Sequence, residues 1–526
     1  MQQSLSKIIN KIQNYSPKFS IADAISEISV ASDFTTPSVV LNFNRKEYMM
    51  KRTRLKNFLL ICVLIAATVM AMAYSSNTAG VLRSNWLPGP TRHHAGDSEI
   101  LGVSGHLVQN KVLQGSEGTV GLNLTLQAAE LPATDGGEAR NVNLVIVLDR
   151  SGSMKGRKIE DARRAVLALL SSLSAEDRFA LITYSDSVHI ASGLSNVTAA
   201  NRVRLTSAVN TIRAGGGTNL GAGLQAGIDI LISAARHTNA AKVILISDGL
   251  ANKGLTDIKA LSDIAAVAVE KEFAVSTVGV GIDFNEHLMT TIADRGTGSY
   301  YYLENPAAFA EIFQKEFYNT RTAAVTGVKI QVPMNSGITL VDAAGYPIIN
   351  IDDHLVFYPG NLRPGQTRKL FLTLKVPTNS QKTFALDQIK LSYRYGDRDY
   401  ETALDESFKI ACVGDQKKVY SSINKTSWSE KVINEDFNRL KQEVAADIKS
   451  GEKQSALKKI DRYHKEQEAV NAAVGSAHVA ENLDKDLKEL RTFVKDTFEG
   501  APAAVRQKQK SNAKTLQFDG YSGRRQ

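Results

Sequence analysis

The sequence predicts an α/β fold: a doubly wound, mostly parallel sheet inserted in a β-sandwich and followed by a C-terminal helical region. From Asn141 to about Thr320, continuous apolar strands alternate with amphipathic helices, which is typical of a parallel sheet with helices on both faces. Strand-like alternation of apolar and polar residues flanks this region on both sides. The segment from Ser429 to Phe498 is rich in Lys, Glu, Ala and Leu, with leucines at helical spacing.

The region 141–320 predicts a single domain in which strands and helices alternate. The predicted strands are 144–148, 179–184, 243–247, 274–280 and 300–303. The predicted helices are 159–173, 203–212, 220–235, 258–269, about 285–293, and 307–317. Because the strands are fully apolar, we expect both faces of the sheet to be covered.

The strand-like segments on the two sides of this domain are predicted to form one discontinuous sandwich. Residues 99–140 and 321–413 alternate with a period of two residues, as in "VTGVKIQVPM" and "RKLFLTLKVP", and are bounded by Gly, Pro and Asn. Each flank is too short to form a separate stable β-sandwich. Cys412 is expected on one of these strands as a buried small hydrophobic residue. If the chain is cleaved after Cys62, Cys412 has no disulfide partner.

The C-terminal part of the chain is predicted to be helical and then disordered. Residues 414–498 predict two or three packed helices, interrupted at Gly451 and Gly475. From Val505 to Gln526 there are six Lys/Arg, one Asp and few side chains to bury. We therefore expect residues 499–526 to form a basic disordered tail.

Residues 49–73 have the parts of a secretory signal peptide: a basic region, an apolar run over 58–73 and a small-x-small site. We expect cleavage before Tyr74, a linker over 74–98, and an exported chain that is periplasmic, on the cell surface or secreted. The alternative is a membrane anchor formed by residues 58–74, with the C-terminal part outside. Because a signal should begin near the first residue, we expect translation to start at Met49 or Met50, and residues 1–48 to be a doubtful extension.

The charge of the chain excludes one class of partner. The formal net charge is +9, but nine of the 63 basic and four of the 54 acidic residues precede Tyr74, which leaves 54 basic against 50 acidic residues. So weak an excess does not indicate nucleic-acid binding. The sequence also contains no Gly-rich phosphate loop with its lysine, no CxxC pair and no HExxH motif.

Side chains that could bind a metal ion through oxygen occur at three places in the predicted α/β domain. The stretch "VIVLDRSGSM" ends an apolar strand with Asp149, Ser151 and Ser153; Thr218 lies in "GGGTNL", and Asp248 follows another strand in "LISDGLAN". Each motif alone is a common turn. Together they meet at the carboxyl edge of a parallel sheet, where sites form in such folds. Two carboxylates and three hydroxyls suit Mg²⁺, or Ca²⁺ or Mn²⁺, and not zinc.

The predicted metal site keeps a position for a ligand from outside the chain. Two carboxylates only neutralise a divalent ion, so an external carboxylate can complete the shell. Arg150 and Asn219 flank the motifs and are candidate contacts for that ligand. No histidine or cysteine belongs to the set, and His189, beside a predicted strand, is expected to be a structural or surface residue.

These motifs resemble the von Willebrand factor type A domain and its metal-ion-dependent adhesion site. The resemblance covers about Asn141 to Phe317 and includes all five candidate ligands. It implies that the two serines and the threonine ligate the metal directly, that Asp149 and Asp248 bind it directly or through water, and that a partner's Glu or Asp completes the shell. The wider layout is similar to bacterial exported proteins of this family and, more loosely, to inter-alpha-trypsin inhibitor heavy chains.

Three classes of function follow from these observations. The leading one is an exported, metal-dependent module for protein binding or adhesion, which is not an enzyme and touches a membrane only through an uncleaved amino-terminal segment. The second is an accessory subunit of a AAA+ chelatase or chaperone, which the export signal argues against. The third is a metal-dependent hydrolase, which is disfavoured because no general base with a supporting partner lies near the motifs.

Overall fold

The computed structural model describes residues 100–130, 140–234, 240–271, 273–304, 308–334, 337–396, 398–404 and 406–525. The predicted extension, signal peptide or anchor, and linker over residues 1–98 lie outside the described residues. Within the described ranges, no helix has both the length and the apolar character that crossing a bilayer requires.

The strands are numbered in chain order. They are β1 (Leu101–Leu107), β2 (Lys111–Leu113), β3 (Thr119–Ala128), β4 (Val142–Asp149), β5 (Arg178–Tyr184), β6 (Val188–Asn196), β7 (Ala240–Ser247), β8 (Ala274–Val280), β9 (Thr297–Leu303), β10 (Val325–Pro333), β11 (Thr339–Ala343), β12 (Ile349–Ile351), β13 (His354–Phe357), β14 (Thr367–Lys375), β15 (Thr383–Leu386), β16 (Lys390–Tyr395), β17 (Arg398–Ala403) and β18 (Phe408–Val413).

The helices are numbered in the same way. They are α1 (Arg157–Ser172), α2 (Ala199–Thr211), α3 (Leu220–Ala234), α4 (Ile258–Glu270), α5 (Glu286–Arg295), α6 (Phe309–Arg321), α7 (Gln416–Tyr420), α8 (Lys425–Lys431), α9 (Phe437–Ser450), α10 (Lys453–Val474), α11 (Ala477–Glu481), α12 (Leu487–Thr497) and α13 (Pro502–Gly523). Two π-helical turns, Val432–Asp436 and Asn482–Asp486, continue α8 into α9 and α11 into α12.

The central sheet confirms the predicted doubly wound α/β fold. Its strand order is β6-β5-β4-β7-β8-β9, and every pair is parallel except β5 with β6. Leu144 and Ile146 of β4 pack into a core that includes α1 and α6, while Val145 and Val147 pack into a core on the other face, with α3 and α4. A strand that supplies two cores must be apolar throughout, which explains the continuous run in the sequence.

The edge strand β6 was not predicted from the sequence. It runs antiparallel to β5 with two irregularities in its register, and its side chains are half-buried or exposed. Because an edge strand lies over only part of the core, it lacks the continuous apolar run that identified the other strands.

The strand order places a crevice at the carboxyl end of β4. The chain moves from β4 to β5 on one side and later returns to β7 on the other side of β4. The connections that leave β4 and β7 therefore cross to different sides and leave a gap between them, which is the position where ligands bind in open α/β sheets.

The sandwich is discontinuous, as predicted. Strands β1 and β3 precede the α/β domain, and they join β14 and β11 in one four-stranded sheet of order β1-β3-β14-β11. Along β3, Leu124 lies opposite Gly105 on one side and Leu370 on the other. A second sheet has the order β12-β13-β10-β16-β17, and a small third sheet has β15-β18-β2. Cys412 lies buried on β18.

The C-terminal helices form their own core against one side of the sandwich. Val444, Ile448, Ile460 and Leu487 belong to this core, together with Val108 from the strand region. Asn123 of β3 donates a buried hydrogen bond of 3.0 Å to the backbone oxygen of Ser427, so the helices and the sandwich are joined by more than apolar contact.

The prediction of a disordered tail over 499–526 is wrong, because residues 502–523 form the helix α13. Phe518 packs against both cores of the α/β domain, and Tyr521 belongs to one of them. Four of the six basic residues in this segment, Lys510, Lys514, Arg524 and Arg525, have acidic partners in other parts of the fold. Arg524 bonds Asp342 of β11 at 2.8 Å and Glu435 at 2.9 Å. Counting charge within the segment could not reveal partners that lie far away in the sequence.

Candidate functional site

Asp149 is the last residue of β4, and its carboxylate is completely buried. The backbone N–H of Ser151 donates to Oδ1 at 2.7 Å, and the hydroxyl of Ser247, the last residue of β7, donates to Oδ2 at 2.8 Å. Both oxygens are thus oriented by neighbours from the two strands that border the crevice.

Burial raises the pKa of Asp149, and the nearby charge of Asp248 acts in the same direction. Hydrogen bonds from Ser151 and Ser247 stabilise the carboxylate and offset only part of this rise. A buried carboxylate whose charge is incompletely compensated is stabilised by a bound cation.

The hydroxyls of the motif lie next to one another. Ser151 Oγ and Ser153 Oγ are 3.0 Å apart, and Ser153 Oγ donates to Asp248 Oδ1 at 2.7 Å. Ser151 is buried, whereas Ser153 is exposed, so the cluster is open to solvent on the side of Ser153.

Thr218 is brought to the same cluster by its glycine-rich loop. A side chain placed on Gly249 would lie 3.5 Å from Ser153 Oγ and 3.6 Å from Thr218 Oγ1, so both hydroxyls border that glycine. The loop is tied to the end of β4, because Gly215 N–H donates to the oxygen of Arg150 at 2.7 Å. At Gly216, φ is +87°, a backbone conformation that favours glycine over other residues.

Asp248 has a second partner that the sequence did not reveal. Its side chain is completely buried, and its Oδ2 lies 2.5 Å from Nζ of Lys158 in α1. The aliphatic chain of Lys158 passes Gly281, where a Cβ would lie 3.3 Å from Cε. Lys158 thus neutralises one of the two buried carboxylates, and the set as a whole retains an uncompensated negative charge when both are ionised.

The structure brings all five predicted ligands, Asp149, Ser151, Ser153, Thr218 and Asp248, to one point. Asn219 and Arg150, the two candidates that flank the motifs, make hydrogen bonds elsewhere. Asn219 Oδ1 accepts the N–H of Ala222 at 3.3 Å at the start of α3, and the half-buried Arg150 makes backbone hydrogen bonds to Tyr184 and Gly215. His189 is exposed on β6.

Three positioning residues were missed by sequence reasoning. Ser247 orients Asp149, Asn252 Oδ1 accepts the N–H of Thr218 at 2.9 Å, and Lys158 pairs with Asp248. Ser247 and Asn252 stand inside the quoted motif "LISDGLAN", so their closeness in sequence was a usable signal. Lys158 is one of several basic residues around the start of α1, and nothing in the sequence distinguishes it from the others.

The donor set fits a hard divalent cation. Carboxylate and hydroxyl oxygens are the ligands of Mg²⁺, Ca²⁺ and Mn²⁺, and an exposed member leaves access for a further ligand. In the described part of the chain, no group of three or more His, Cys, Asp or Glu side chains is arranged to hold a metal. This site contributes two carboxylates, so any metal here depends on the hydroxyls as well.

Comparison with known proteins identifies the domain that carries this site. Residues 143–315 match the family model described as von Willebrand factor type A domain. Among solved structures, a von Willebrand factor type A protein from Catenulispora acidiphila is similar with a TM-score of 0.59 and 17% sequence identity, over 82% of this chain and 99% of that chain. At this identity the likeness shows the fold, and it extends well beyond the matched domain.

Two relatives align with part of the chain. The uncharacterized protein YfbK of Escherichia coli (strain K12) is 28% identical over 211 residues, which are 40% of this chain and 35% of that protein. The inter-alpha-trypsin inhibitor heavy chain H3 of Mesocricetus auratus is 29% identical over 206 residues, which are 38% of this chain and 23% of that protein. The chain thus spans about a third or less of the length of these two curated relatives.

Proposed function

We propose that the von Willebrand factor type A domain that this chain carries over residues 143–315 binds a partner protein through a divalent metal ion. Domains of this family generally serve in protein interaction and adhesion. The observation that carries the proposal is the meeting of Asp149 and Asp248, both fully buried, with three hydroxyl groups at the open carboxyl edge of the sheet.

The residues that would hold the ion are Asp149, Ser151, Ser153, Thr218 and Asp248. The ion would be Mg²⁺, Ca²⁺ or Mn²⁺, and it would supply a positive centre for an acidic residue of the partner. Since the ion and Lys158 together carry more positive charge than the two carboxylates neutralise, an external carboxylate completes the balance. The exposed position of Ser153 gives that carboxylate access from solvent.

Two further parts of the proposal concern location and chemistry. The chain is exported, which rests on the signal-like segment over residues 49–73. It is a binding module and not an enzyme, since the five side chains supply metal ligands and the motifs add no histidine base with a supporting partner.

The test compares the full chain with its Asp149→Ala variant. Both are immobilised and exposed to extracellular proteins of the source cells in Mg²⁺ or in EDTA, and metal binding of both is measured by calorimetry. We expect a set of proteins that the unaltered chain retains only in Mg²⁺ and that the variant does not retain. Retention of the same proteins by a folded Asp149→Ala variant, insensitive to EDTA, would contradict the proposal.

A further inference from the structure

A large cleft lies at the opposite edge of the central sheet, away from the candidate metal site. Its volume is about 880 Å³, within the range of small-molecule sites. One wall is formed by the amino ends of β4, β7, β8 and β9, and the other by the sandwich, with the segment 359–363 and the start of β14. The cleft thus lies between the α/β domain and the sandwich, at the end of the strands opposite the candidate metal site.

The lining of this cleft is strongly basic. Eight of the described lining residues are arginine or lysine, and one, Glu316, is acidic. Glu316 is already neutralised by Lys242, whose Nζ lies 2.8 Å from its carboxylate. Arg394 and Arg525 are also paired, with Asp399 and Asp294 respectively, and Arg140 donates to the backbone oxygen of Ala323.

Four lining cations form no ion pair with a carboxylate of the described residues: Lys271, Lys315, Arg363 and Arg368. Lys315 lies over the ring of Tyr301 and Arg363 over the ring of Tyr318, each 5.8 Å from the ring centre. Arg368 donates to the backbone oxygens of Pro359 and Asn361.

These contacts orient the side chains without neutralising their charge. An aromatic ring or a backbone carbonyl presents partial negative charge only. The cleft therefore keeps about four positive charges with no carboxylate beside them.

The uncompensated cations lie on both walls. Lys271 caps the end of α4 and Lys315 lies on α6, both in the α/β domain, while Arg363 and Arg368 belong to the sandwich. Cations on opposite walls of the cleft repel one another, whereas an anion bound between them is attracted to both walls. Such an anion would bridge the two parts of the fold.

We propose that this cleft binds a small soluble ligand that carries two or more phosphate groups. A phosphate carries between about −1.5 and −2 charges at neutral pH. The charge of two or three phosphates therefore balances that of the four cations, and these phosphates occupy less space than four separate carboxylate groups. The guanidinium group of Arg363 suits phosphate oxygens because it can donate two parallel hydrogen bonds. Arg368, whose Nη atoms already donate to Pro359 and Asn361, contributes its charge. This site is independent of the proposed metal-dependent function, from which it is separated by the length of the strands.

Tripolyphosphate is the probe, titrated into the full chain by calorimetry in the presence of EDTA so that metal–phosphate complexes do not contribute. The double variant Lys315→Gln/Arg363→Gln removes one cation from each wall. We expect it to weaken tripolyphosphate binding by about tenfold, and we expect rising KCl to weaken binding by the unaltered chain.

The matched control is Arg204→Gln/Lys375→Gln, which removes the same charges from exposed positions outside the cleft. It should bind as the unaltered chain does. Equal weakening in both double variants would overturn the location, and citrate binding as tightly as tripolyphosphate would overturn the choice of phosphate. Absence of tripolyphosphate binding by the unaltered chain would overturn the proposal, and a lower melting temperature of the cleft variant would then show that these cations serve the stability of the fold.

Discussion

At the carboxyl edge of the central sheet one lysine pairs with one of two buried carboxylates, whereas at the amino edge the described lining of the cleft has eight basic side chains and one glutamate. Both edges are built from the ends of the same strands, β4, β7 and β8. The difference comes from what each edge faces. The carboxyl edge opens to solvent at Ser153, and the amino edge faces the sandwich across a cleft.

This contrast shows how one sheet can separate opposite charges. A cation attracted to the carboxyl edge is repelled from the amino edge, and the reverse holds for an anion. The two edges should therefore bind different ligands with little mutual effect. The following predictions test that separation.

The largest effect is expected at the carboxyl edge. Asp149→Ala removes one of two carboxylates, and serine or threonine oxygens cannot replace its charge. We expect affinity for Mg²⁺ or Mn²⁺ to fall on the order of 1,000-fold, about 4 kcal/mol. Calorimetry measures the affinity, and circular dichroism checks the fold.

Asp229→Ala is the control for this prediction, because Asp229 is exposed on α3 and bonds only Gln225 in the described hydrogen bonds. It should bind metal as the unaltered chain does. A folded Asp149→Ala variant whose melting temperature still rises with Mg²⁺ would show that the five side chains are not the metal site.

At the amino edge, substitution of the buried carboxylate of Glu316 should change the stability of the fold and not metal binding. Glu316 is fully buried and accepts hydrogen bonds from Lys242, Ser276 and Tyr301. Glu316→Gln keeps the volume but leaves the ammonium of Lys242 without its counter-charge. We expect a loss of about 3 kcal/mol in unfolding free energy, measured by denaturant titration, with unchanged Mg²⁺ affinity.

The pH dependence of this effect has a definite sign. Burial alone would raise the pKa of Glu316, but the charge of Lys242 and the three hydrogen bonds outweigh it, so the pKa lies below its ordinary value of 4.5. The carboxylate therefore stabilises the fold above about pH 4.5, and this contribution is lost as the pH falls through the lower folded pKa. The stability difference between the two proteins should shrink in that acidic range, and a constant difference would contradict the assignment.

The two edges also differ in how far the sequence revealed them. Asp149, Ser151 and Ser153 lie within five residues of one motif, and Asp248 follows a strand of the same type. The rule that sites form at the carboxyl ends of parallel strands was therefore sufficient to predict that they meet. The alternation of strands and helices gave the fold for the same reason, since each element is local.

The amino edge depends on long-range placement. Lys271, Lys315 and Arg363 come from α4, α6 and a sandwich loop, and no motif links them. The same limit explains the error over α13, whose Arg524 finds Asp342 182 residues away in the sequence. Charge is visible in a sequence, but its compensation depends on which segments meet.

A smaller effect is expected from Lys158, whose ammonium group pairs with a carboxylate of the carboxyl edge. Lys158 Nζ lies 2.5 Å from Asp248 Oδ2 and repels any second cation bound by that carboxylate. Lys158→Met should therefore raise Mn²⁺ affinity by about fivefold while lowering the melting temperature of the metal-free protein, because Asp248 loses its counter-charge.

Lys155→Met is the matched control, since Lys155 is exposed just before α1 and forms no ion pair with a described carboxylate. It should change neither quantity. Weaker Mn²⁺ binding by Lys158→Met would mean that the lysine serves mainly to orient Asp248 for the metal, and the charge balance proposed for this edge would then be wrong.

The smallest effect is expected from His189, which is exposed on the edge strand β6. It makes no described contact with the oxygen cluster, and surface substitutions away from special features change stability by less than about 0.5 kcal/mol. His189→Ala should therefore leave the melting temperature, Mg²⁺ affinity and retention of the partner unchanged. If partner retention alone fell, the partner would lie along β6 as well as over the metal, because an edge strand offers unpaired backbone groups to an incoming chain. The carboxyl edge would then bind through both charge and strand pairing, in contrast to the amino edge, where charge alone is proposed.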